Sequence, residues 1–156
     1  MIKLVRIDDR LLHGQVAFAW TRSLSIETII IANDAAVKDE FTKMTLSLAK
    51  PQGVKLLIKS VGKTIDYLND DSKCNKNIMV IINCVADAFR LHEGVSKIDS
   101  INFGGIKKKD GAEQVSNAIS LKNDEKELCK KMINDGIELE VRQVPAEGKQ
   151  LINNLI

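Results

Sequence analysis

What most constrains this chain is its alternation between short aliphatic runs and amphipathic segments of helical period. Ile2–Ile7 is rich in aliphatics and ends in two aspartates, which reads as a first strand. Gly14–Ser23 then predicts a helix with Val16, Ala19 and Trp20 on one side. Ile26–Ala32 contains the β-branched run Thr28-Ile29-Ile30-Ile31 and predicts a strand buried on both faces. Asn33-Asp34 offers a cap for a helix with Phe41, Met44 and Leu48 at helical spacing, which Pro51 and Gly53 end. Strands follow over Val54–Lys59, Asn77–Asn83 and Ile98–Phe103, with helices over Val61–Leu68 and Ala86–His92 between them. Gln114–Leu121 reads as a weak strand and Asp124–Asn134 as a helix with Leu128, Met132 and Ile133 inward. Ile137–Val144 reads as a last strand and Lys149–Leu155 as a terminal helix.

Strands alternating with helices form right-handed βαβ units. The expected fold class is α/β, a three-layer open, mostly parallel (mixed) sheet with helices on both faces. No repeat or linker interrupts the pattern, and 156 residues suffice for one core, so residues 1–156 are read as a single domain. Aromatics are only 4% of the chain, so the core must be aliphatic. The 23 basic and 21 acidic residues nearly balance, which argues against nucleic acid as the main partner. Three cysteines, Cys74, Cys84 and Cys129, form neither a disulfide framework nor a zinc spacing; Cys84 and Cys129 lie in apolar patterns and read as core. The N-terminus has no apolar signal region, and Ile78–Ile82 is too short to span a bilayer.

Open α/β sheets bind ligands beyond the carboxyl ends of their strands. The first five strands lead there into Asp8-Asp9-Arg10, Asn33-Asp34, Ser60, Asn83-Cys84 and Gly104-Gly105. The first of these ends is the richest chemically. His13 lies in the turn between the first strand and the first helix, and a neutral imidazole is a good nucleophile near neutral pH. Gly14 lets backbone approach a ligand, and the amides opening a helix favour phosphate. Arg10, three residues before His13, presents a permanent charge and a fork of donors that match phosphate oxygens. Asp8 can orient Arg10 or the unreacted imidazole nitrogen; Asp9 can do either or face solvent. Leu11 and Leu12 are expected to pin the loop to the core. Gly104-Gly105 with Lys107–Lys109 does not match a P-loop and reads as a turn with a solvated basic run. His92, inside a helix, reads as structural or solvated.

The string Arg6-Ile7-Asp8-Asp9-Arg10-Leu11-Leu12-His13-Gly14-Gln15-Val16, with Trp20 after it, resembles the signature of IIB components of the mannose/fructose/sorbose class of sugar phosphotransferase systems. Asn33-Asp34, Ala49-Lys50-Pro51 before Gly53-Val54, Asn102 to Gly105, and Gly136 are similar to the same family. Phe103 stands where many relatives carry Val or Ile.

The resemblance implies a protein-N(pi)-phosphohistidine–sugar phosphotransferase, in which His13 accepts a phosphoryl group from a IIA phosphocarrier and the group passes to a sugar during uptake through membrane components IIC and IID. It makes His13 the phosphohistidine, Arg10 the phosphoryl stabiliser and Asp8 an assisting acid. The amides of Gly14 and Gln15 would face the phosphate. It implies no metal and no organic cofactor, and a cytoplasmic protein held peripherally at the permease. With no IIA-like stretch in these residues, the donor is expected on a separate chain. A homodimer is compatible with the sequence, and the sugar and the phosphorylated nitrogen of His13 stay open.

Two other readings compete. A histidine phosphatase would carry Arg directly before the histidine, where this chain has Leu12, and would need a second catalytic histidine, for which His92 is a poor candidate. A non-catalytic small-ligand-binding α/β module would bind at the glycine-rich strand ends without covalent phosphate.

Overall fold

The Ile- and Val-rich runs lose χ1 freedom in a helix and pack well on a pleated surface, so they become strands. A computed structural model describes residues 1–156. In chain order the elements are β1 (Ile2–Asp8), α1 (Gly14–Leu24), β2 (Thr28–Ala32), α2 (Glu40–Leu48), β3 (Lys55–Lys59), α3 (Val61–Asn69), β4 (Ile78–Ile82), α4 (Val85–Gly94), β5 (Ser100–Gly105), β6 (Glu113–Gln114), β7 (Ser120–Leu121), α5 (Asn123–Asn134), β8 (Glu138–Val141) and β9 (Gln150–Leu151). The sheet has the order β3-β2-β4-β1-β5-β8-β9, parallel except for β9. This is the expected mixed α/β sheet.

The strand order decides which face each helix covers. From β1 the chain moves toward β3 through α1 and α2, then turns back through α3, α4 and α5. Right-handed crossovers in opposite directions put their helices on opposite faces. The core divides accordingly. A cluster of 25 buried residues joins Ile30, Val80 and Phe103 to Leu68, Leu91 and Met132 of α3, α4 and α5. A smaller cluster of 11 joins Ile29, Ile31, Met79 and Ile81 to Ala17 and Trp20 of α1 and Leu46 of α2. The loop leaving β1 goes to one face, and those leaving β4 and β5 on either side of it go to the other. The carboxyl end of β1 is thus a topological switch point.

Several expectations need correction. Lys149–Leu155 is not an α-helix: Gln150–Leu151 pairs antiparallel with β8, and only one 3-10 turn, Ile152–Asn154, follows. Gln114–Leu121 is two short strands paired antiparallel outside the main sheet. The strand expected over Ile137–Val144 stops at Val141. Asn33-Asp34 does not cap α2. Asn33 accepts from Ala36 N at 2.8 Å, Asp34 accepts from Val61 N at the start of α3, and α2 is capped by Asp39. Gly104-Gly105 is the end of β5 rather than a turn, with Gly104 buried. Cys84 is half-buried rather than core. The Phe41, Met44 and Leu48 stripe of α2, whose spacing set no face, turns outward, with Leu48 84% exposed.

Candidate active site

β1 alternates its side chains across the sheet. Val5 and Ile7 enter the large core, so Arg6 and Asp8 point to the opposite face. Asp8 ends the strand with none of its surface exposed. Such a carboxylate must be surrounded by donors, and it is. Its Oδ2 lies 3.3 Å from Arg6 Nη2 and 3.0 Å from His13 Nε2. Its Oδ1 accepts from the Arg10 amide at 3.1 Å and lies 3.7 Å from Arg10 Nε.

The loop that carries His13 is held by strain and by hydrogen bonds together. Leu11 has φ 58° and Gly14 has φ 40°, two left-handed residues bracketing Leu12-His13. Leucine there costs about 1–2 kcal/mol. The conformation is held by Leu11 N donating to Asp8 O at 2.8 Å and by buried Leu12. On the other side Asp9 N donates to Gly105 O at 2.9 Å, and the Asp9 carboxylate accepts from Lys107 N at 2.7 Å. Asp9 therefore ties the loop to the end of β5, while Asp8 faces the imidazole.

His13 is the N-cap residue of α1, with extended φ −151° and ψ 138°, and its side chain does not bond the helix amides. The first turn of α1 contains no acidic residue. Its amides, beginning with Gly14 and Gln15, remain available to an anion beside the imidazole. The His13 side chain keeps 24% exposure and that of Arg10 51%, so both can meet an incoming group. A carboxylate only accepts hydrogen bonds, so this contact favours the neutral tautomer with its proton on Nε2 and its lone pair on Nδ1. The structure thus brings His13, Asp8, Arg10, Gly14 and Gln15 together. The histidine expected to be structural, His92, lies on α4 with Nε2 2.8 Å from Asp135 Oδ2.

Arg6 is not among the residues expected at the site; the signal in the sequence is an arginine between Val5 and Ile7 in an aliphatic strand. It is 3% exposed and its guanidinium lies 5.8 Å from the Trp20 ring centroid. Burial pulls its pKa below the ordinary arginine value, and Asp8 opposes that shift. Gly104 makes room for it, because a Cβ there would overlap the Arg6 guanidinium. No group of three or more His, Cys, Asp or Glu side chains converges anywhere in the chain.

Residues 2–156 match the family described as PTS system sorbose subfamily IIB component. The chain belongs to this IIB family. It is 42% identical over 116 residues to a probable phosphotransferase enzyme IIB component of Streptococcus pyogenes, covering 74% of this chain and 71% of that one. It is 38% identical over its whole length to the PTS system mannose-specific EIIAB component of Escherichia coli. It spans 48% of the length of that protein, about half. Among solved structures, the IIB domain of the sorbose permease from Klebsiella pneumoniae superposes with a TM-score of 0.93 at 27% identity, covering 99% of this chain and 94% of that one. The switch point at β1 in this IIB chain is therefore where the family's characteristic string has folded.

Proposed function

We propose that this IIB chain is a phosphocarrier, in which residues 1–156 act as one domain. His13 takes a phosphoryl group from a phosphohistidine on a IIA protein and passes it to a sugar entering through IIC and IID. The observation that carries this reading is the His13 Nε2 to Asp8 Oδ2 contact of 3.0 Å, which leaves Nδ1 as the nucleophile at a helix start. The mannose-specific EIIAB relative, named for an A and a B part, supports the choice of donor.

The chemistry follows from these groups. The Nδ1 lone pair forms a new N–P bond as the donor's N–P bond breaks and its electron pair returns to the donor ring. The imidazole becomes cationic, with its proton on Nε2 facing the Asp8 carboxylate. Arg10 and the Gly14 and Gln15 amides balance charge on the phosphoryl oxygens. Positioning and electrostatics supply most of such a transfer, because the group itself needs little covalent help. In the second step a sugar hydroxyl oxygen attacks phosphorus, the Nδ1–P bond breaks with its electron pair returning to the His13 ring, which becomes neutral again, and the hydroxyl proton passes to water.

The hollow beside His13, lined by Asp8, Leu11 and Trp20, has a volume of about 10 Å³. It has room for about one water, and on this reading the sugar is presented to His13 by the permease. No helix of the chain is long and apolar enough to cross a membrane. On this reading the chain meets the cytoplasmic side of the permease through contacts with IIC and IID.

The test is intact mass after incubation with phosphoenolpyruvate, the general phosphotransferase proteins and a family IIA, with His13→Ala alongside. An acid-labile gain of one phosphoryl group in the wild type alone supports the reading. No gain from two different phosphorylated family IIA proteins overturns the function. A gain that persists in His13→Ala overturns the site.

A further inference from the structure

The helices on the α1 and α2 face cover only part of the sheet. α1 leaves β1 toward β2, and the connections beyond β5 run on the other face, so on this side β5 and β8 lie outside the aliphatic cluster under α1 and α2. The chain places a buried polar row there. Arg6, Asn102 and Glu140 are register partners across β1, β5 and β8, and they share one face. All three are buried, at 3%, 1% and 6% exposure.

The row is bonded from end to end. Arg6 Nη1 donates to Asn102 Oδ1 at 2.6 Å and to the Arg142 carbonyl at 3.1 Å. Asn102 Nδ2 donates to the same carbonyl at 3.0 Å and to Glu140 Oε1 at 3.3 Å. Arg142 pairs with Glu140 Oε2 at 3.2 Å, and its guanidinium lies 5.3 Å from the Trp20 ring centroid. Trp20 Nε1 donates to the Gln143 carbonyl at 2.9 Å, which ties α1 to the segment leaving β8. At its other end the row delivers Arg6 Nη2 to Asp8 Oδ2, the oxygen that faces His13 Nε2.

We propose that Asn102 and Glu140 are positioning residues for His13, acting through Arg6 and Asp8 to hold the imidazole with Nε2 toward Asp8 and Nδ1 outward. The physical requirement is directional. An arginine can turn its fork to several acceptors, and Asn102 Oδ1 with the Arg142 carbonyl engages one nitrogen so that the other is left for Asp8. Glu140 fixes the amide flip of Asn102, because its carboxylate can only face the Nδ2 end. Two strands away from β1, a side chain thereby sets which imidazole nitrogen is free. This inference rests on the phosphocarrier reading for its kinetic consequence but not for its geometry.

The experiment uses the full chain with Asn102→Ala, Glu140→Gln and, as a control, Ile101→Ala, which deletes a buried side chain of the same strand on the opposite face. Nitrogen-15 NMR of the unphosphorylated protein reads the His13 tautomer, and rapid-quench transfer from a phosphorylated IIA reads kcat and KM. Asn102→Ala is expected to mix the His13 tautomers and lower kcat by about 10- to 100-fold with KM nearly unchanged. Glu140→Gln, which keeps the shape and an oxygen acceptor, is expected to move both in the same direction by less. Ile101→Ala is expected to lower Tm while leaving tautomer and kcat alone. A drop in Tm for both Asn102→Ala and Glu140→Gln with an unchanged His13 tautomer overturns the proposal. Should Asn102→Ala fail to fold, the tautomer in Glu140→Gln decides alone. Because the tautomer is read without phosphate, a failed phosphocarrier reading and a failed positioning role give different results.

Discussion

β4 and β5 flank the same strand, β1, and follow different rules. All five residues of β4 are apolar and buried, with Ile78, Val80 and Ile82 toward α3 to α5 and Met79 and Ile81 toward α1 and α2. β5 is apolar only toward the large core, through Ile101 and Phe103; its other face carries Asn102 and Gly104. The difference tracks the helices. Where both faces are covered, aliphatic packing is enough. Where one layer runs out, buried hydrogen-bonded charge fills the face. β1 joins the two regimes, and its carboxyl end is where the candidate chemistry lies.

The comparison is broken most severely at Asp8. Asp8→Asn leaves Arg6 buried without its counter-charge, which is expected to cost about 3–5 kcal/mol of stability. It also removes the carboxylate facing His13, with an expected loss of about 10²–10⁴-fold in phosphoryl transfer. Urea unfolding and rapid-quench transfer measure the two losses, and a variant that loses stability alone would detach Asp8 from the chemistry.

On the β4 side, Ile78→Ala, at the end of the strand away from His13, is expected to cost a similar amount, about 2–5 kcal/mol. Transfer measured well below its Tm should stay within about twofold of wild type, since packing alone is lost. A large kinetic defect in a folded Ile78→Ala protein would mean that the apolar half also positions the histidine.

A smaller effect probes the apolar cover opposite Asn102. Burial pushes the Cys129 thiol of α5 up to about 12. A thiol with a raised folded-state pKa contributes stability that is present below its unfolded value of about 8.5 and is lost as pH rises toward the folded value. Stability should therefore decline with alkaline pH more steeply in wild type than in Cys129→Ala. Native Cys129 should resist alkylation at pH 8 until the protein unfolds.

The smallest effect is expected at α2. Leu48→Ser and Phe41→Ser sit on its outward stripe, so each should change stability by no more than about 0.5 kcal/mol. A much larger loss in thermal unfolding would place that stripe inside a packed layer.

What the sequence revealed divides along the same line. The aliphatic strands, their parallel order of strand ends and the Asp8 to Gln15 loop were legible because their signals are local runs and a contiguous string. The Arg6–Asn102–Glu140 row was not, because it exists only once β1, β5 and β8 are in register, across a separation of 136 residues from Arg6 to the Arg142 carbonyl. The terminal segment misled for a related reason. Leu151, Ile152 and Leu155 have helical spacing, yet Gln150–Leu151 is captured by the free edge of β8. In α2 the helical period was legible but the face was not: Leu46 packs inward while Phe41, Met44 and Leu48 do not, and spacing alone cannot tell which side the sheet lies on. Cap chemistry at Asn33 and Asp34 was recognised, but its recipients were the turn at Ala36 and the start of α3.

The most direct test of the account is a long-range proton–nitrogen-15 correlation spectrum of the phosphorylated protein, labelled at histidine. The account predicts one phosphorus-coupled nitrogen, Nδ1 of His13, with the Nε2 proton retained and hydrogen-bonded. Phosphorus on Nε2, or an unmodified His13 in a phosphorylated chain, would contradict it.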